Sequence, residues 1–311
     1  MKILIAYDGS EHADNAIESL VNAGFPKSVD ALVMSVADVF LPPPIKEEDM
    51  FPPHPPEGVR RAHEHAQHKL CETEEMAKRA SQKIRQMFPA WQVSHKATAN
   101  SPAWELIRVA DEWKPDIIVM GARGHSVLGG RLILGSVSQR VLYEAGCSVR
   151  IERGARKSSD SIVRLLIGVD QSKDSLAAVY AVLSRYWPRG TQVRLLAVVD
   201  TVMAIGTEPG KPSNVKWIEV DDENNWDQVR ELFEPSAETL RVLGLDATVM
   251  IRRGNPADEI IDEAETWGAD CVFVGARGAR GIERLLFGSV SAAVSARANC
   301  SVEVVRVPRR G

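Results

Sequence analysis

Two aspartates and two glycine-rich turns hold the chemistry this sequence can do. Asp8 follows the apolar run Ile3-Leu4-Ile5-Ala6-Tyr7, and Asp170 follows Leu165-Leu166-Ile167-Gly168-Val169. Far downstream, Gly121-Ala122-Arg123-Gly124 is followed after ten residues by Gly135-Ser136, and Gly275-Ala276-Arg277-Gly278 after nine by Gly288-Ser289. Glycine permits positive φ and close backbone approach. Successive N–H groups in such a turn make an anion-binding concavity. A Gly-Ser helix start adds unpaired N–H groups and the positive end of the helix dipole. Arg123, Arg277, Arg280 and Arg284 add positive charge. This is phosphate-binding chemistry with a carboxylate beside it. A tight strand-to-helix turn capped by serine uses the same residues.

Those residues lie in a chain that repeats itself. Ile3–Ser10 corresponds to 165–172, Asn100-Ser101-Pro102-Ala103 to Gly254-Asn255-Pro256-Ala257, Trp113 to Trp267, and Ala145-Gly146-Cys147-Ser148-Val149 to Ala298-Asn299-Cys300-Ser301-Val302. The offset falls from 162 to 154 to 153 along the chain, so the first copy is longer in its middle and longer by one residue after Gly124. This is a tandem duplication. Its expected parts are a first domain over 1–153, a polar linker over 154–161 and a second domain over 162–311.

Each copy alternates short apolar runs with helical patterns. The first copy reads as strands near 2–7, 31–36, 92–97, 116–120 and 148–152. Ser10 caps a first helix to about Val21, residues 59–87 form a long charged one, Pro102 or Ala103 opens a third, and Gly135 or Ser136 a fourth. Near-continuous Ile/Val/Leu runs suit strands covered on both faces. The fold class is α/β, with two tandem doubly wound, five-stranded parallel sheets of Rossmann-like type. In such sheets ligands sit outside the carboxyl ends of the strands, where the aspartates and glycine turns converge. The fifth strands, 148–152 and 301–305, are apolar edges that invite pairing. A further homodimer is compatible with this arrangement. Residues 41–56 hold seven of the 17 prolines and form neither helix nor sheet, reading either as a surface insertion or as a lid or docking segment. The second copy has its own loop there, from Thr201 to about Asn225.

With these motifs the chain resembles the universal stress protein family in a tandem form, along nearly the whole of both copies. The family signature G-x2-G-x9-G-[ST], with an aspartate ending strand one, is met by Gly275, Gly278, Gly288 and Ser289 with Asp170. The first copy has Asp8, Gly121, Gly124, Gly135 and Ser136 with one extra spacer residue, which the Gly129-Gly130 tip can absorb. The resemblance implies an ATP-binding stress or signalling protein, whose two halves form a pseudo-dimer through their fifth strands, antiparallel across a pseudo-two-fold axis. Asp8 and Asp170 would face adenine and ribose, and the backbone of Val36 and Val198 would touch adenine. The glycine turns, with Arg123 and Arg277, would hold the phosphates, and Ser138 and Ser291 would lie within reach. Mg2+ or Mn2+ would ride on the phosphates. An interaction scaffold with vestigial pockets is the alternative.

Composition removes other classes. The net charge is −4, with −2 in each half, so neither half is a basic nucleic-acid module. No apolar run reaches the ~18–20 residues of a membrane span, and the N-terminal run is too short for a signal peptide, so a cytoplasmic protein is expected. There is no GxxxxGK[ST] motif, and so no phosphate-binding lysine of that kind; at most slow ATP hydrolysis is expected, not a dedicated enzyme. The four cysteines include no CxxC pair and read as thiols of a reducing compartment. His65, His68 and Cys71, three apart, can share a helix face that would suit a metal or simply face water.

Overall fold

The computed structural model describes residues 1–40, 57–124, 134–153, 162–199, 226–278 and 287–307, together with the backbone of two strands at 202–206 and 215–219. The proline-rich 41–56 segment, Gly129-Gly130, Arg280, Arg284 and the 154–161 linker lie outside the described residues.

The first half runs β1 (Lys2–Ala6), α1 (Glu11–Ser19), β2 (Asp30–Ala37), α2 (Glu57–Met87), β3 (Gln92–Ala99), α3 (Pro102–Trp113), β4 (Ile117–Gly121), α4 (Ser136–Glu144) and β5 (Ser148–Glu152). The second runs β6 (Arg164–Val169), α5 (Lys173–Leu183), β7 (Gln192–Val199), β8 (Val202–Gly206), β9 (Val215–Glu219), α6 (Trp226–Val242), β10 (Asp246–Arg253), α7 (Pro256–Trp267), β11 (Cys271–Gly275), α8 (Ser289–Arg297) and β12 (Ser301–Val305). Ser10 caps α1 by accepting from Ala13 N–H, and Ser172 caps α5 by accepting from Ser175 N–H. Pro102 and Pro256 stand at helix starts, where a missing N–H costs nothing.

Some boundaries differ from expectation. The third strand continues to Ala99, and the fourth is shifted onto Gly121. The first helix stops at Ser19 and tightens into a 3-10 turn over Leu20–Asn22. The expected loop 201–225 contains an antiparallel ribbon, with β8 pairing β9 from Val202↔Glu219 to Gly206↔Val215.

The strands form one ten-stranded sheet in the order β10-β7-β6-β11-β12-β5-β4-β1-β2-β3. In this sheet the pairings within each half are parallel, and the strand order reverses direction between the first and fourth strands. At the centre β12 and β5 pair antiparallel, Val302↔Ile151, Glu303↔Arg150 and Val304↔Val149, so the two fifth strands meet as expected. Strands such as Ile3-Leu4-Ile5 and Ile117-Ile118-Val119 are wholly buried because helices cover both faces. On one face a single apolar core crosses the centre, with Val141, Leu142 and Val149 packed alongside Val294, Val302 and Val304. On the other face each half keeps its own core.

Each half also grips a helix of the other. Arg153, just after β5, donates Nη2 to Ser295 O at 2.5 Å and Ala296 O at 3.4 Å, at the end of α8. Arg306, just after β12, donates Nη2 to Leu142 O at 2.6 Å and Nη1 to Cys147 O at 3.2 Å, at the end of α4. Cations there complement the helix dipole and satisfy carbonyls that have no intrahelical partner.

Candidate functional site

The strand reversal leaves a crevice above β1 and β4, and another above β6 and β11. Asp8 stands at the first. Its Oδ1 accepts from Ser10 N–H at 3.0 Å and Ser10 Oγ at 2.6 Å, which holds the carboxylate upright at the end of β1. Its Oδ2 rests on Gly124, so close that no Cβ would fit between them. Asp170 repeats this: Oδ1 accepts from Ser172 N–H at 3.0 Å, and Oδ2 lies 2.8 Å from where a Cβ of Gly278 would be. The structure thus brings the aspartate and the second glycine of each turn into contact.

The other glycines have different work. A Cβ on Gly121 would lie 2.8 Å from the backbone C and O of His12; on Gly275 it would lie 2.5 Å from Asp174 C and 2.7 Å from Ser175 N. The first turn of α1 or α5 crosses there at backbone contact. Gly135 and Gly288 are the N-caps of α4 and α8, tied by their N–H groups to Ala122 O and Ala276 O at 2.9 and 2.8 Å. None of these six glycines has a positive φ. The expected need for left-handed backbone is therefore corrected: what the turns need is space. Positive φ occurs instead at Gly9 (75°) and Gln171 (62°), each just after its aspartate.

Ser136 and Ser289 begin α4 and α8 and are exposed. The first intrahelical bonds are Gln139 N–H to Gly135 O and Ala292 N–H to Gly288 O, so the N–H groups of 136–138 and 289–291 have no intrahelical acceptor. Ser138 and Ser291 are buried and donate Oγ to Gly121 O (2.9 Å) and Gly275 O (2.6 Å), pinning each helix to the end of its strand. Arg277 is clasped by Asp174 through two bonds, Nε at 3.0 Å and Nη2 at 3.2 Å, and this raises its pKa. In the first half the residue matching Asp174 is His12.

Val36 and Val198 reach the crevices through their backbones. Tyr7 N–H donates to Met34 O, the last rung between β1 and β2, whereas Ala37 O accepts from Asn100 N–H on the other side. Alternate residues of a strand address the same neighbour. Val36 therefore turns its N–H and C=O toward β1, beyond where β1 ends. In β7, Val199 O accepts from Gly254 N–H, which leaves Val198 facing β6 beyond Val169.

Sequence reasoning missed the part played by four residues. Asp174, the clasp on Arg277, was visible only as an acidic residue in a first helical turn. Ser10 and Ser172 double as supports for the aspartates. Met76 of α2 leans over the Asp8–Gly9 turn, its Sδ 3.0 Å from the Cβ position of Gly9, and no pattern pointed to it.

The remaining candidates are structural. Burial pushes the Cys147 and Cys300 thiols up to about 11, and Cys271 is fully buried. His65, His68 and Cys71 lie exposed on α2, and no group of three metal-ligating side chains is found among the described residues. No described helix is long and apolar enough to cross a membrane.

The universal stress protein family model matches the chain twice, over residues 1–152 and 162–306. A universal stress protein of Methanocaldococcus jannaschii is 28% identical over 163 residues, which are 50% of this chain and 88% of that protein. One of Mycolicibacterium smegmatis is 30% identical over 193 residues, 61% of each chain. The crystal structure of a universal stress protein from Archaeoglobus fulgidus superposes with a TM-score of 0.63 at 22% identity, covering 98% of both chains; at that identity it speaks to the fold alone.

Proposed function

The chain belongs to the universal stress protein family, and from that premise we propose that it is an ATP-binding, nucleotide-dependent stress or signalling protein of the cytoplasm. Its units are 1–153 and 162–311, joined by 154–161. The observation that carries the reading is the carboxylate-on-glycine contact at the sheet's reversal point, made twice: Asp8 on Gly124 and Asp170 on Gly278. A carboxylate there can accept from ribose hydroxyls. The backbone of Val36 or Val198 offers a donor and an acceptor to a purine edge. The free N–H groups opening α4 and α8 suit phosphate oxygens. The cradle fits such a ligand because only glycine at 124 and 278 leaves room for the carboxylate to stand against the turn beside the free helix N–H groups. A divalent cation would be held through the phosphates rather than by protein ligands.

At most slow ATP hydrolysis is expected. Phosphoryl transfer needs a positioned nucleophile and charge clamps. Arg277 is engaged by Asp174, and the Ser138 and Ser291 hydroxyls are spent on strand carbonyls. The same engagement favours the second reading, an interaction scaffold whose pockets hold nucleotide weakly or not at all.

Mass spectrometry of small molecules released from the purified protein, followed by ATP titration of the stripped protein, decides between them. The expected result is ATP binding that Asp170→Ala weakens at least tenfold in the second site, with the second site at least as tight as the first because its spacer has the family's length. No bound nucleotide and no titration would leave the scaffold reading.

A further inference from the structure

The pseudo-two-fold axis passes through the rung that pairs Arg150 with Glu303. These residues occupy matching places in the two halves, 153 apart. Any pairing of a half with its own kind, in the same register, would set Arg150 against Arg150 or Glu303 against Glu303. Both side chains are buried.

The pair is the middle of a longer chain of charge. Arg185, in the turn after α5, clasps Glu303 through both carboxylate oxygens. Glu303 Oε2 lies 3.3 Å from Arg150 Nη1. Arg150 Nε then pairs with Glu152, whose Oε2 accepts from Ser301 Oγ at 2.5 Å. Two cations and two carboxylates alternate across the axis and sum to zero. The places matching Arg185 and Glu152 are Ala23 and Val305, so each half brings one cation–carboxylate pair of its own, and a like-with-like pair keeps those but replaces the central Arg150–Glu303 contact with Arg150 against Arg150 or Glu303 against Glu303. Buried charge is tolerated only when partnered, and removing a partner is strongly destabilising. Like charges directly opposite on neighbouring strands repel.

A steric feature agrees. The Trp187 indole of the second half fills the space where a Cβ of Gly24 in the first half would lie, within 2.8 Å, and Tyr186 N–H donates to Gly24 O at 2.8 Å. Gly24 matches Tyr186 in the repeat. Two second halves docked this way would drive Trp187 into Tyr186.

We propose that Arg185, Glu303, Arg150 and Glu152, with Gly24 and Trp187, form a pairing code: the fifth-strand edge of a first half accepts only the fifth-strand edge of a second half, in the same chain or from a second copy of it, and rejects its own kind. This does not depend on either crevice binding nucleotide. The edge through which like domains would pair is thereby closed to them, and further assembly must use other surfaces.

The test uses the full chain with a protease site placed within 154–161. The folded protein is cut, unfolded in urea, refolded by dilution and weighed by native mass spectrometry. The code predicts one-to-one pairs of unlike fragments, exceeding either like pair by about a hundredfold or more. Like pairs in comparable amounts would overturn it. In the same experiment Arg150→Met combined with Glu152→Gln, which removes the like-charge clash between first halves without leaving Glu152 a buried carboxylate with no cation, raises the first-half pair at least tenfold over the unsubstituted chain; no rise would overturn the proposal. Should the cut halves fail to refold, the uncut chain decides. Arg150→Glu, which gathers three buried carboxylates, must then lower the unfolding midpoint far more than Arg150→Met, and equal effects would refute the code.

Discussion

Two glycines three residues apart in one turn have opposite consequences when each gains a methyl group. In Gly275→Ala the new Cβ lands 2.5 Å from Asp174 C and 2.7 Å from Ser175 N, where ordinary contact begins at 3.4 Å. Both atoms are backbone, so β11 and α5 must separate by about 0.9 Å. Overpacking of this kind costs about 1–3 kcal/mol. For a unit of this size each kcal/mol lowers Tm by roughly 2–4 °C. In Gly278→Ala the Cβ meets, among the described residues, only Asp170 Oδ2 at 2.8 Å, the end of a side chain that can turn aside, and the backbone there has no positive φ. Stability then stays within about 0.5 kcal/mol, but the carboxylate is displaced from the crevice and nucleotide binding at the second site falls. Urea unfolding of nucleotide-free protein measures the first effect, and ATP titration the second. A Gly275→Ala protein as stable as the parent, or a Gly278→Ala protein that binds ATP unchanged, would refute the division of labour drawn here.

Arg306→Met should destabilise by about 1–3 kcal/mol, since it leaves helix-end carbonyls of the other half without donors. Arg153→Met should cost less in the same urea titration, because Arg153 Nη1 is buried without a partner and burial already pulls its guanidinium down to about 10. In the native protein a disulfide reagent should modify Cys71 quickly, the half-buried Cys147 and Cys300 slowly, and Cys271 only upon unfolding, as counted by released chromophore. Burial raises Cys147 and Cys300 from 9.0 to about 11. The folded state holds those protons longer, so their contribution is complete below pH ~9 and is lost as pH rises through about 11. Alanine at both positions should flatten that alkaline decline in unfolding midpoint.

The parallel halves were readable because near-continuous apolar strands between amphipathic helices admit few packings, and the repeat supplied the same pattern twice. The joining edge was readable from the apolar fifth strands. Less was legible in the site. The glycine spacing announced that side chains are excluded from the turns, but not by what. Gly121 and Gly275 make room for a crossing helix, whereas Gly124 and Gly278 make room for a carboxylate. Ser138 and Ser291 look identical to ligand-binding hydroxyls in one dimension. Only their place in the first helical turn, facing the end of the strand, commits them to Gly121 O and Gly275 O. The Arg277–Asp174 clasp joins residues 103 positions apart and left no local trace. The strands β8 and β9 lack the regular alternation that would have announced them.

Helices α4 and α8 have a property that neither end reveals alone. Each is nine residues long, about 13 Å at the usual rise. Each begins at the crevice of its own half and ends in the arginine grip of the other. The two helices therefore work as crossed tie rods. Each joins the N–H groups at its own crevice to Arg306 or Arg153, and through that arginine to the strand of the opposite half that carries it. The two crevices share a frame as well as a sheet.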